Sequence, residues 1–229
     1  GYSDNARLLM SENMNEYTHE VQYLNTAKVI YNLRNKDNHC FSGLNKNEER
    51  EEFIHFSKPF MISLPNEIII KKQNIQKFKQ YINKEGLIDF ETLIQNKNLR
   101  LVYTKKRAYS KFIDRVISKY KDNANLIYRP AEDLTEGFLK MLSANRADYI
   151  IEYPVMVSFN SNNEFLAIPI NHANKKFPVY IGCSKTTTGE KIITKINHII
   201  EKNKKLLNSF YAYYLDENIK KRYLKDVQK

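Results

Sequence analysis

Cysteine occurs only twice in 229 residues, at Cys40 and Cys183, too few and too far apart for a metal ribbon or a disulfide-dense scaffold. Glycine is nearly as sparse for the length: with six in all, the chain has no Gly-rich loop to cradle phosphate. No apolar run approaches the roughly 18 to 20 residues of a membrane-spanning helix, because Lys, Asn or Pro interrupts each candidate. Ribonucleoprotein motifs, zinc fingers and basic-helix runs are also missing, so nucleic acid is not an expected partner. Low-complexity stretches and internal repeats are absent, which removes a solenoid. The chain opens at Gly1 without an initiator Met or a signal-type apolar segment, which reads as a trimmed mature portion with upstream residues missing.

What is present describes a globular chain. Hydrophobic residues make up 42% and aromatics 12%, enough to bury a core that offsets chain entropy, so disorder is excluded. The net charge of +11 and pI near 9.4 suit an anionic ligand or surface. The basic residues are nonetheless spread through every segment, as AT-rich codon usage would spread them, and solvated Lys is the simpler reading.

Periodicity gives a helix at the start, with Ser3 or Asp4 as cap, then an alternating strand at His19–Leu24. A second helix follows behind Asn25 or Thr26, and a short strand over Cys40–Leu44. Ile68, Ile69 and Ile70 form a buried strand by their β-branched run. Beyond them come a helical turn at Phe90–Ile94, a strand at Leu99–Tyr103, an amphipathic helix at Ser110–Tyr120 and a strand at Asn125–Tyr128. A helix capped by Asp133 and a strand at Asp148–Ile151 complete a second α/β unit. The tail reads as a strand over Pro178–Cys183, a helix capped by Thr186 or Thr188, and a further helical stretch from Leu206 to Tyr214. Strand, helix and strand in succession without hairpin turns predict parallel α/β sheets in two lobes.

Residues 39 to 72 carry a more specific pattern. Phe41-Ser42-Gly43-Leu44 is followed by a polar loop with Glu49-Arg50, then by Phe56-Ser57-Lys58-Pro59-Phe60 and the Ile68–Ile70 strand. This resembles the signature of type II periplasmic solute-binding proteins of the family 3, amino-acid-binding kind, whose fold is shared by the ligand cores of ionotropic glutamate receptors. Gly1–Asp4 resembles the start of that family's first helix, Asn145-Arg146-Ala147-Asp148 its "Gly-Arg-x-Asp" element, and Val179–Lys185 its returning strand. The segment Pro178-Val179-Tyr180-x-x-Cys183-x-Lys185-Thr186 places the chain nearest a distant branch.

The resemblance implies an α/β fold of two lobes, each a mostly parallel sheet flanked by helices and joined by two crossover strands. Lobe 1 is then residues 1–71 plus 184–229, and lobe 2 residues 72–183, with the N-terminal strand of lobe 1 missing. It implies an extracytoplasmic protein that binds a small solute in the inter-lobe cleft by hinge closure, for uptake or sensing. The expected partners are the ligand and either an ABC permease or a membrane receptor or kinase; the expected state is a monomer. A dehydratase or a peptidoglycan-lyase-associated module on the same fold is the alternative.

By the same resemblance Arg50 takes a ligand carboxylate, since a guanidinium offers a rigid donor fork matching two oxygens; the competing reading pairs it with Glu48, Glu49 or Glu51. Ser42, Gly43, Leu44 and Asn45 lie just past a strand end, where open α/β sheets bind ligands. In lobe 2, Arg107, Ala108 and Tyr109 precede a helix N-terminus suited to an anion, Tyr109 serving either as lid or as packing. Amino-acid binders usually place an Asp where Tyr153 stands here, with Glu152 beside it, so a carboxylate-bearing, peptide-like or other anionic solute is expected. His19, His39, His55, His172 and His198 lack ligand spacing, and neither a catalytic set, a metal nor a cofactor is expected. The two cysteines, on strands in or beside lobe 1, are expected as free buried thiols in preference to a bridge.

Overall fold

The computed structural model describes residues 1–104, 109–129, 135–158, 163–173 and 176–227. The chain divides into two units, one made of Gly1–Ser63, Lys176–Tyr214 and Arg222–Lys229, the other of Leu64–Lys175 and Leu215–Lys221.

The first unit opens with α1 (Tyr2–Glu12) and α2 (Thr26–Asn35), the latter capped by Asn25, whose side chain accepts from Lys28 N. Then come β1 (Cys40–Leu44), the short α3 (Glu48–Glu51), β2 (Ile54–Phe56) and β3 (Met61–Ser63). The predicted strand at His19–Leu24 does not form. Its residues are all exposed, Tyr23 at 89%, and alternation specifies a strand only where a sheet accepts one of its faces.

The second unit begins with β4 (Glu67–Lys71), α4 (Ile75–Phe78), α5 (Phe90–Ile94) and β5 (Leu101–Tyr103). It continues through α6 (Lys111–Lys119), β6 (Leu126–Tyr128), α7 (Thr135–Ser143), β7 (Tyr149–Glu152), α8 (Val155–Ser158) and β8 (Phe165–Ile168). Asp133, the expected cap of α7, lies outside the described residues. The chain then returns through β9 (Phe177–Ser184) and α9 (Thr187–Tyr213), and ends in α10 (Glu217–Val227).

The second unit's sheet runs β6-β5-β7-β4-β8. β5 is parallel to β6 and β7, while β4 is antiparallel to β7 and β8. Ile68 and Ile70 pack with Tyr149, Ile151, Leu101, Ile113 and Val116 on one face, while α7 packs against β4 and β7. Covered on both sides, Ile68, Ile69 and Ile70 are fully buried, each worth about 1.5–3 kcal/mol.

The first unit's sheet is organised on β9, which pairs with β1 along one edge and with β2 and β3 along the other. All of these pairings are antiparallel, against the expectation of mostly parallel sheets. Strand–helix–strand order leaves open whether a strand from far along the chain inserts between its predecessors, and β9 does so. α9 covers β9, β2 and β3, α1 packs on α9, and Val29 and Leu33 of α2 pack with Leu44 and Ile54.

The lobe limits also move. The resemblance assigned residues 67–71 to lobe 1 and 177–183 to lobe 2; the ladders put β4 in the second unit's sheet and β9 in the first. A strand belongs where its backbone groups find partners.

The Phe-Ser-x-Pro segment now has a physical account. It bridges the gap between β2 and β3, where Ser57 N donates to Ile181 O (2.9 Å) and Ser57 Oγ accepts from Ile181 N (3.0 Å). A side chain thus stands in for a strand partner of β9. Lys58 N donates to Asn197 Oδ1 (2.7 Å) and fixes the same link to α9.

Candidate functional site

The residues predicted at the end of β1 form one local structure. Ser42 faces Ile181 and Leu44 faces Tyr180, so Gly43 is the extra residue of a bulge, with φ +104°. A Cβ there would meet Phe41 at an ordinary 3.9 Å. The glycine is therefore required by backbone conformation and not by crowding from neighbouring side chains. Leu44 is buried among α2 and β2 residues, Ser42 is half-buried, and Asn45 is exposed.

Past the bulge the loop folds on itself. Asn47 caps α3, its Oδ1 accepting from Arg50 N (2.9 Å), and Arg50 Nη1 donates to Asn45 O (2.7 Å). That hydrogen bond holds the guanidinium beside the end of β1. The neighbouring glutamates are engaged elsewhere: Glu49 with Arg34 (3.2 Å) and Glu51 with Lys46 (2.7 Å). Among the described residues no carboxylate lies within ion-pair distance of Arg50, so the glutamate pairing weighed for it is not formed. Among the described residues one of its five N–H donors is used.

In the second unit, Arg107 and Ala108 lie outside the described residues. Tyr109 packs its ring against the core, its hydroxyl accepts from Thr104 N (3.0 Å), and its N–H donates to Asp114 Oδ1 (3.2 Å). Ser110 caps α6 by accepting from Ile113 N. Glu152 is 1% exposed, faces the equally buried Glu67 across the β4–β7 ladder, and accepts from Tyr153 N (2.9 Å); Tyr153 is half-buried. Asp148 accepts from Arg100 N and Arg100 Nε, both at 2.9 Å, so the Asn-Arg-x-Asp element ties β7 to the start of β5. Asn145 takes a left-handed φ of +55° at the position where the family pattern has glycine.

Two features escaped sequence reasoning. The Thr104 hydroxyl is buried at the end of β5 without a hydrogen-bond partner among the described residues, and neither pattern nor propensity marks such a group. Cys40 and Cys183 stand opposite each other in the β1–β9 ladder and are bonded, where free thiols were expected. Among the described residues no three of His, Cys, Asp and Glu converge as metal ligands, and no helix is long and apolar enough to cross a membrane.

No protein-family model and no curated sequence matches the chain. Solved structures do. An ancestral cationic amino acid solute-binding protein superposes with a TM-score of 0.69 at 15% identity, over 94% of this chain and 86% of that one. The probable amino-acid ABC transporter extracellular-binding protein of Bacillus subtilis gives 0.65 at 15% identity, over 95% and 88%. This is the fold of the amino-acid solute-binding proteins. An amino acid ABC transporter substrate-binding protein from Streptococcus pneumoniae, bound to L-arginine, gives 0.63 at 16% identity over 93% and 80%. At such identities the solute-binding fold is what this chain shares with these proteins, and it agrees with the resemblance carried by residues 39 to 72.

Proposed function

We propose that this chain is an extracytoplasmic solute-binding protein that takes a small carboxylate-bearing solute, with Arg50 as the carboxylate anchor, and serves an ABC permease or a membrane receptor. The observation that carries this reading is the Arg50 guanidinium, oriented by Asn45 O at the end of β1 and lacking a carboxylate partner among the described residues. Such a fork binds two carboxylate oxygens through parallel charge-assisted bonds. Ser42 and Asn45 add polar groups at the same strand end. The Cys40–Cys183 bond supports the extracytoplasmic reading, since disulfides persist mainly in oxidising compartments. The names of the structural neighbours, which mention arginine, glutamine and L-cystine, set the first solutes to try.

The test is a thermal-shift panel of amino acids, short peptides and simple carboxylates, followed by calorimetry on each hit. Arg50→Ala leaves the cap on Arg50 N intact, so the fold should survive while binding weakens by about 2–5 kcal/mol. Arg50→Lys should recover little of it, because an ammonium cannot reproduce the fork. Wild-type affinity in Arg50→Ala would remove the anchor, and turnover of a bound solute would replace binding by catalysis.

A further inference from the structure

Beyond solute binding, the second half of α9 carries a surface that its own unit leaves uncovered. Asn203 departs from helical geometry (φ −120°, ψ 18°), and past this kink Leu207, Asn208, Tyr211 and Ala212 turn inward and are buried. The opposite stripe holds Leu206, 43% exposed, and Tyr213, 77% exposed, two helical turns apart with exposed Ser209 between them. Single exposed apolar residues are ordinary. Here Lys205 adjoins Leu206 on the exposed side, Lys202 and Lys204 are exposed on either side of the kink, and none of the three has a carboxylate within ion-pair distance among the described residues. The nearby Glu201 is committed to Lys58.

We propose that this stripe is a peripheral docking surface for a lipid bilayer containing anionic headgroups. The lysines meet the negative surface potential of such a membrane. Leu206 and the ring of Tyr213 enter the headgroup boundary, where an amphipathic aromatic is favoured, while Ser209 stays at the polar level. The net charge of +11 adds long-range attraction to the same surface, and three lysines with two apolar residues hold the protein reversibly. Apolar side chains set among unpaired lysines fit a surface both anionic and apolar, which a free polyanion is not.

The full chain is sedimented with phosphatidylcholine vesicles with and without about one-third phosphatidylglycerol. Binding should require phosphatidylglycerol and fall as salt is raised. Lys202→Gln with Lys204→Gln and Lys205→Gln should lower the association constant by about tenfold or more, and the equally charge-reducing set Lys84→Gln, Lys97→Gln and Lys121→Gln by less than about twofold. Tryptophan is absent from the chain, so the Tyr213→Trp variant carries a single reporter whose emission should shift to the blue on anionic vesicles. Circular dichroism melts check that each variant is folded. Equal losses from the two lysine sets would mean that overall charge alone acts, and an unmoved emission would mean that no side chain inserts; either result overturns the proposal. So would retention on heparin through Lys202, Lys204 and Lys205 without any phosphatidylglycerol-dependent sedimentation, which would make the stripe a polyanion site.

Discussion

Asp89 shows how one side chain sets a pH dependence. It caps α5, with Oδ1 accepting from Thr92 N (3.0 Å) and Oδ2 from the Thr92 hydroxyl (2.7 Å). Burial by itself raises its pKa; the Thr92 bonds, the Glu91 N–H and the charge of His172 together outweigh that and hold the carboxyl below its ordinary value. A carboxyl whose pKa is depressed by folding stabilises the native state above its unfolded value, near ~3.9, and that contribution fades as pH falls through the folded value. Asp89→Asn keeps a capping oxygen without the charge. Urea unfolding should therefore show wild type more stable than the variant near neutrality, with the gap closing as pH is taken from about 5 towards 2; a gap independent of pH would show that the charge contributes nothing. The Asp89 cap was not identified from the sequence, although the helix it starts was. Arg50 was singled out in the sequence as a candidate, but the choice between glutamate partner and a guanidinium without one was not legible, because it turns on how the Asn45–Glu51 loop folds.

At the scale of elements, the start of α9 depends on Gly189. Thr186 Oγ1 accepts from Gly189 N (3.1 Å), and this cap brings the first turn so close to the end of β9 that a Cβ on residue 189 would lie 2.0 Å from Ser184 O. Backbone cannot yield as a side-chain tip can. Gly189→Ala should destabilise by about 1–3 kcal/mol or more. Gly137, within α7, gives the opposite case: among the described residues nothing lies within 4 Å of its would-be Cβ, and Gly137→Ala should stabilise by about 0.5–1 kcal/mol through helix propensity. Denaturant midpoints of the two variants should move in opposite directions. The sequence marked α9's cap and its two stretches because those signals are local. It gave a false strand at His19–Leu24, since alternation records which faces could be buried and not whether a sheet receives them.

For the whole molecule, the Cys40–Cys183 bond closes a loop across 143 residues of sequence separation. A cross-link over so long a segment stabilises chiefly by restricting the unfolded chain, by up to about 4–5 kcal/mol in the chain-entropy model. Reduction, or Cys40→Ser with Cys183→Ala, should lower Tm by about 2–4 °C for each kcal/mol lost. The unreduced protein should weigh about 2 Da less than the reduced one, the mass of the two thiol hydrogens lost when the bond forms. An unchanged mass and Tm under reductant would show that the thiols are free.

Helices α1, α2, α5, α6, α7 and α9, the β4 isoleucine strand, the caps at Asn25 and Thr186, and the motif of residues 39 to 72 were fixed by local pattern, because helix periodicity, β-branched runs and capping chemistry act within a few residues. The fold resemblance followed from those same residues. Partner choice was decided only by tertiary structure. Insertion of β9 between β1 and β2 made the first unit's described pairings antiparallel, brought Cys40 opposite Cys183 and gave Ser57 its place in the ladder, while pairing with β7 and β8 put β4 in the second unit. Each of these outcomes joins residues more than a hundred positions apart or a strand to a distant sheet. Hydrogen-bond satisfaction selects such pairings from many that share one local pattern, and it acts on the assembled sheet, where the linear pattern carries no record of it.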